Sequence, residues 1–141
     1  MKKILLTATV LLASVIMVSA TDITLKQLPK QAQAFIAEYF AKDRINKIIM
    51  NSNRNNKGYK VLFKDGSKIK FDTDGQWTKI KLRNDSIPVE IIPEYITSYV
   101  WEQYPDILIM SIEQDGTGHE VELSDGTELT FNPKGNVVKI D

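Results

Sequence analysis

Apolar residues fall into two kinds of pattern along this chain, and each kind occurs twice. Ala32, Phe35, Ile36, Tyr39 and Phe40 are spaced i, i+3, i+4, i+7, i+8, one face of a helix, and Ile96, Tyr99, Val100, Gln103 and Tyr104 mark the same face 64 positions later. Each stretch follows a proline, Pro29 or Pro93. At the first helical position the missing N–H costs little, so the pattern predicts helices opening at these prolines. After each helix the period changes to two. Tyr59, Val61, Phe63, Ile69 and Phe71 alternate with polar residues around Asp65-Gly66, and Val121, Leu123, Leu129 and Phe131 do so around Asp125-Gly126. Asp-Gly between alternating runs is a strong hairpin signal, because glycine adopts positive φ freely, and it predicts a tight primed turn. Further turns at Asp74-Gly75 and Lys134-Gly135 lead into "QWTKI" and "NVVKI". With Ile45–Met50 and Ile107–Ile112 as leading strands, the order is a helix and four antiparallel strands, twice.

Tyr59–Ile80 and His119–Ile140 align without a gap at an offset of 60 and share seven of 22 positions. The shared residues, among them Val61/Val121, Gly66/Gly126, Phe71/Phe131 and Ile80/Ile140, stand at turns or core-type places, so an internal repeat is expected. The change of offset from 64 to 60 falls in the polar stretch "NSNRNNKG", which predicts a longer hairpin tip there. The expected divisions are a leader at 1–20, a first unit at 21–82 and a second at 83–141.

That leader is "MKKILLTATVLLASVIMVSA": two lysines, an apolar run from Ile4 to Val18, and small residues at Val18-Ser19-Ala20. It has the form of a secretory signal peptide cleaved after Ala20. The apolar run is shorter than the roughly 20 residues of a spanning helix. A periplasmic or secreted chain beginning at Thr21 is therefore expected, without a membrane span. There is no cysteine, so no disulfide staples the fold and burial must hold it.

The α+β order predicts a helix packed on one face of each four-stranded sheet, the sheets joined side by side and their other face left open. The proline-led helices and the paired segments "DGSKIKFDTDGQWTKI" and "DGTELTFNPKGNVVKI" resemble the β-lactamase-inhibitor-like, PepSY-like family of exported bacterial proteins. The resemblance covers residues 21–141. It implies two tandem repeats whose sheets form one concave surface, and a binding or inhibitory module in place of an enzyme.

The residues themselves offer little catalytic chemistry. His119 is the only histidine, and without cysteine the usual nucleophile–base and metal constellations cannot be assembled. "DTDG" at Asp72–Gly75 has a calcium-loop flavour, but the glutamate expected at the twelfth position is Arg83, and a turn is the better reading. No catalytic residue, metal or cofactor is expected. The open face carries more information. If Val61, Phe63, Ile69, Phe71 and Ile80 point to the helix, alternation sends Lys60, Lys64, Lys68, Lys70, Trp77 and Lys79 to the other side, with Glu120, Glu122, Glu128 and Val137 there in the second unit. Charge divides the same way. Residues 21–82 hold 13 basic and 6 acidic residues, net +7, whereas 83–141 hold 3 and 12, net −9. These positions are the candidate binding surface, with Trp77 as its aromatic anchor. The expected partner is an unidentified protein, such as an exported peptidase or hydrolase. A polyanion such as lipopolysaccharide, sulfated glycan or extracellular nucleic acid on the basic unit is the alternative, although the near-neutral balance of the whole chain, taken alone, predicts no nucleic-acid role. The two-signed face also predicts a weak, salt-sensitive homodimer.

Overall fold

The computed structural model describes residues 20–141; the predicted leader, apart from Ala20, lies outside them. Nine strands form one antiparallel sheet, and every strand pairs with its neighbours in sequence. They are β1 (Ala20–Ile23), β2 (Ile45–Asn51), β3 (Gly58–Phe63), β4 (Lys68–Phe71), β5 (Trp77–Lys81), β6 (Ile109–Gln114), β7 (His119–Leu123), β8 (Glu128–Phe131) and β9 (Val137–Ile140). Helix α1 (Lys30–Tyr39) lies between β1 and β2, and α2 (Glu94–Gln103) between β5 and β6. The fold is α+β, with one open sheet.

Both helices pack on the same sheet face. Ala32 and Ile36 of α1 and Ile96 and Val100 of α2 join one buried cluster with Val61, Ile69, Ile80, Ile112, Val121 and Leu129. Aromatic rings make the closest joints. Phe35 meets Phe71 edge-on at 5.9 Å, and Tyr99 meets Phe131 at 5.6 Å. Pro29 and Pro93 stand one position outside the helices, as N-caps with extended ψ near 140°, and not at the first helical position expected. Each then gives its carbonyl to the first helical bond, accepting from Gln33 N–H at 3.0 Å and Thr97 N–H at 3.3 Å. Gln103, placed on the apolar face by its spacing, is exposed, because α2 ends there and its face has already turned away from the sheet.

The strand pairings of the two halves correspond. Ile45↔Phe63 and Ile48↔Val61 in the first match Ile109↔Leu123 and Ile112↔Val121 in the second. The next two pairs of strands likewise share register, each with an irregularity at the end of the last pairing. The four short turns have a common form. Gly66 N–H bonds to the Phe63 carbonyl at 3.1 Å, and Asp65 Oδ1 accepts from Ser67 N–H at 2.8 Å. Only the glycine has positive φ, so these are type I turns closed by a left-handed glycine and not the primed turns predicted. Asp72 and Asn132 occupy one role in the later turns, each side-chain oxygen accepting from two backbone N–H groups. "DTDG" is thus a turn held by Asp72.

Strand β1 was not foreshadowed by any alternation; it joins the sheet edge by pairing Thr21 with Met50 and Ile23 with Ile48. The sixth strand opens at Ile109, two residues after the expected start. Gly58 and Gly118, which start β3 and β7, have φ of 138° and 129°. A Cβ there would lie 2.2 Å from the Phe71 carbonyl oxygen or 1.9 Å from that of Phe131, so close approach of neighbouring strands requires glycine at both.

Candidate functional site

The helix-free face of the sheet presents two rows of side chains, fixed by cross-strand register. The first runs Lys60, Lys70, Lys79, Glu113, Glu120, Thr130 and Lys139, each directly opposite the next across β3 to β9. The second runs Lys47, Leu62, Lys68, Lys81, then Ser111, Glu122 and Glu128. Of the expected surface residues, Lys60, Lys68, Lys70, Lys79, Glu120, Glu122 and Glu128 therefore share one face. Lys47, Lys81 and Glu113 complete the rows outside the expected set: β2 and β6 follow no Asp-Gly turn, and Lys81 stands one residue past the repeat that ends at Ile80.

Three expected members, Trp77, Val137 and Lys64, lie elsewhere. Trp77 pairs with Phe71 because the register slips by one residue between Lys70 and Phe71. Opposed residues share a face. The slip therefore rotates Trp77 to the helix side, where it packs against the core. Val137 opposite Phe131 repeats this exactly equivalent slip and is likewise on the helix side. A bulge adds one residue and reverses the phase, which alternation alone cannot register. Lys64 stands beyond the end of β3, in the turn, where it lines a cavity beside α1.

The electrostatics of the face differ across β5 and β6. Three lysines, Lys60, Lys70 and Lys79, oppose one another on adjacent strands, an arrangement that destabilises a sheet when the charges are alike. Partial burial, then the charges of Lys79, Lys70, Lys60 and Lys81, holds the Lys68 ammonium below its usual range. Lys70 is lowered by burial and then by Lys60 and Lys79, with Glu113 acting against this. At the junction the signs meet. Lys79 reaches Glu113 at 3.6 Å, and Lys81 reaches Glu122 at 4.0 Å across the small, buried Ser111 between them.

On the helix side of the junction, Tyr95, His119, Gln114 and Trp77 form a chain of hydrogen bonds beside a hollow of about 500 Å³. Gln114 Nε2 donates to the Trp77 carbonyl at 2.9 Å, which turns Gln114 Oε1 toward His119 Nε2 at 3.2 Å. That oxygen can only accept, so Nε2 carries the proton. His119 Nδ1 then accepts from the Tyr95 hydroxyl at 2.8 Å. Burial lowers the His119 pKa, with Asp115 raising it in part, and burial alone raises that of Tyr95. His119 is thus a half-buried polar residue at the start of β7 with both ring nitrogens engaged. Among the described residues, no three His, Cys, Asp or Glu side chains gather as metal ligands, and no helix is long and apolar enough to cross a membrane.

Comparison with known proteins gives the family. A solved structure titled a "putative periplasmic protein from DUF2874 family" of Bacteroides vulgatus superposes with a TM-score of 0.83 at 35% identity, covering 89% of this chain and 98% of that one. A "putative calcium-regulated periplasmic protein" of Bacteroides thetaiotaomicron gives 0.82 at 39% identity over 86% and 96%. A "putative periplasmic protein of unknown function", also from Bacteroides vulgatus, gives 0.80 at 26% identity over 86% and 98%. Against the curated proteins, nothing matches. The profile described as "Putative beta-lactamase-inhibitor-like, PepSY-like" matches residues 15–61 and 57–139, and the chain belongs to that family.

Proposed function

We propose that this protein is an exported, non-catalytic binding module, built from two copies of one helix-plus-four-strand unit, that holds a partner protein on its open sheet face. The observation that carries the reading is the row Lys60–Lys70–Lys79 meeting Glu113 and Glu120. Facing lysines weaken the sheet they stand on. A partner presenting carboxylates to β3–β5 and cations to β7–β8 would relieve both ends at once. Such complementarity sets orientation and encounter rate more than affinity. The periplasmic descriptions of the structural relatives support an exported location, and the family description supports a restraining role toward an exported enzyme such as a peptidase or hydrolase. The description of one relative as calcium-regulated makes calcium a condition to vary in any binding assay.

A second reading is favoured by the lowered pKa values of Lys68 and Lys70: crowded ammonium groups also suit a polyanion such as lipopolysaccharide or sulfated glycan. The two separate by charge reversal at each end. Partners captured from the native envelope by the wild type are compared with those captured by Lys60→Glu/Lys70→Glu and by Glu120→Lys/Glu128→Lys. A protein docked across the junction is lost from both variants. A polyanion is lost only from the first, with affinity falling steeply as salt rises. Retention of the same partners by both variants removes the open face as the site.

A further inference from the structure

A cavity of about 600 Å³ opens between the end of α1, the β3–β4 turn and the segment after β5. One wall is apolar. Tyr39 and Phe40 come from the end of α1 and Phe63 from β3, with Leu82 and Pro88 from the connecting segment. The Phe40 and Phe63 rings pack at 5.7 Å and fix that wall. Arg44 and Lys64 supply cations to the lining, and Asp65 and Asp85 supply carboxylates.

The two signs are not equally engaged. Asp65 Oδ1 accepts from Ser67 N–H at 2.8 Å, and Asp85 Oδ1 accepts from Ser86 N–H at 2.9 Å, so both carboxylates are occupied within their own turns. These turn bonds, foremost that from Ser67, and to a smaller extent the charge of Arg44, hold the Asp65 carboxyl below its usual range. Arg44 and Lys64 are in neither the salt bridges nor the side-chain hydrogen bonds formed among the described residues. Their backbones are tied, Lys64 N–H donating to the Arg44 carbonyl at 2.8 Å, so the two cationic stems start side by side. The other half has the same backbone bond, from Ser124 N–H to the Leu108 carbonyl at 2.8 Å. Its geometry is kept while the chemistry differs: leucine and serine replace the two cations, and Gln103 stands at the place of Tyr39. The shared fold therefore does not need Arg44, Lys64 or Tyr39.

We propose that this cavity is a binding site for a small amphipathic acid, with a carboxylate on an aromatic or short aliphatic body. Its volume lies in the range of about 300–1,000 Å³ typical of small-molecule sites, which combine an apolar lining with a few placed polar groups. The body lies against Tyr39, Phe40, Phe63 and Leu82. The head meets Arg44, whose planar fork matches a carboxylate, and Lys64, which adds a point charge. This site is separate from the open sheet face, and its test is independent of the protein-binding reading.

The experiment titrates the chain as exported, isotope-labelled for amide NMR, with phenylpropionate and octanoate, with the matched neutral probes phenylpropanol and octanol, and with inorganic phosphate. Shifts are expected at residues 39–44, 63–67 and 82–88 with both acids, and the acids should bind at least about tenfold more tightly than the alcohols, as expected for hydrogen bonds to charged groups. Arg44→Leu/Lys64→Ser, which installs the residues of the second half, should remove that preference while leaving the melting temperature near that of the wild type. Overturning results are equal binding of acid and alcohol, shifts spread over the sheet face, phosphate binding as tightly as the acids, or an acid preference that survives in the double variant. If the double variant unfolds, Arg44→Gln and Lys64→Gln measured singly carry the same comparison, and an undiminished acid preference in both overturns the site.

Discussion

His119 has both ring nitrogens engaged, toward Tyr95 and Gln114, and burial keeps its pKa below the ordinary 6.5. As pH falls through about 6.5 the unfolded chain takes up a proton that the folded chain resists, so the unfolded state gains. The neutral histidine thus contributes stability above that pH, and the contribution is lost on acidification toward the lower folded value. Asp65, Asp115 and Asp125 have lowered pKa values through hydrogen bonds from Ser67, Thr117 and Thr127, and their losses come at lower pH, below the ordinary carboxylate value of 3.8. The expected outcome is a urea midpoint that drops between about pH 7 and pH 5 in the wild type and is flatter in His119→Gln. Parallel profiles would show that His119 titrates alike in both states. Single residues were legible where alternation is uninterrupted: Lys60, Lys70, Lys79 and Glu120 stand on the face that period two assigns them. Trp77 was not, since the bulge that turns it inward leaves no mark in composition. Gly58 and Gly118 carried a signal that could have been read, the same offset of 60 one step before the aligned block.

At the scale of elements, one buried phenylalanine makes an aromatic joint between each helix and its strands, within the common core. Phe71 is 2% exposed beneath Phe35, and Phe131 is fully buried beneath Tyr95 and Tyr99. Replacing either with alanine removes an aromatic joint and leaves a cavity that neighbouring β-structure cannot close, at a cost of about 3–5 kcal/mol. Denaturant unfolding of Phe71→Ala and Phe131→Ala checks this, and a loss under about 1 kcal/mol in both would mean that the helices are not anchored there. The helices and eight of the strands could be located in the sequence because their periods are long enough to repeat. Strand β1 could not: it has four residues, mostly exposed, and its first, Ala20, is the last residue of the expected leader. It is held by edge pairing with β2 and by Ile23, which packs against the core, and neither is local in sequence. The turn type escaped for a similar reason, since Asp-Gly occurs in primed turns and in type I turns closed by glycine alike.

For the whole molecule, the two halves carry net charges of +7 and −9, and the helix-free sheet face keeps the same division, with Lys47, Lys60, Lys68, Lys70, Lys79 and Lys81 on the first half and Glu113, Glu120, Glu122 and Glu128, beside Lys139, on the second. A second copy turned about a two-fold axis places each basic half against an acidic one. Among the described residues, the lysines of this face have few ionic partners: Lys47 meets Asp22, and Lys79 and Lys81 reach across the junction to Glu113 and Glu122. Exposed ion pairs contribute only about 0–1 kcal/mol each, so pairing through this face would be weak and would depend on several contacts together. With Trp77 on the helix side, the face lacks the aromatic anchor that the sequence suggested, and charge must carry the association. Sedimentation is accordingly expected to show self-association at about 0.01 M salt, where the Debye length is roughly 30 Å, and monomer at about 1 M, where it is roughly 3 Å. Lys60→Glu/Lys70→Glu should abolish the low-salt species, and Trp77→Ala, provided it folds, should leave it unchanged. A monomer at every salt concentration would assign the two-signed face to other partners, and a dimer that persists at about 1 M salt would point to an apolar contact, for which the exposed Val138 and Ile140 of the β9 edge are the nearest candidates.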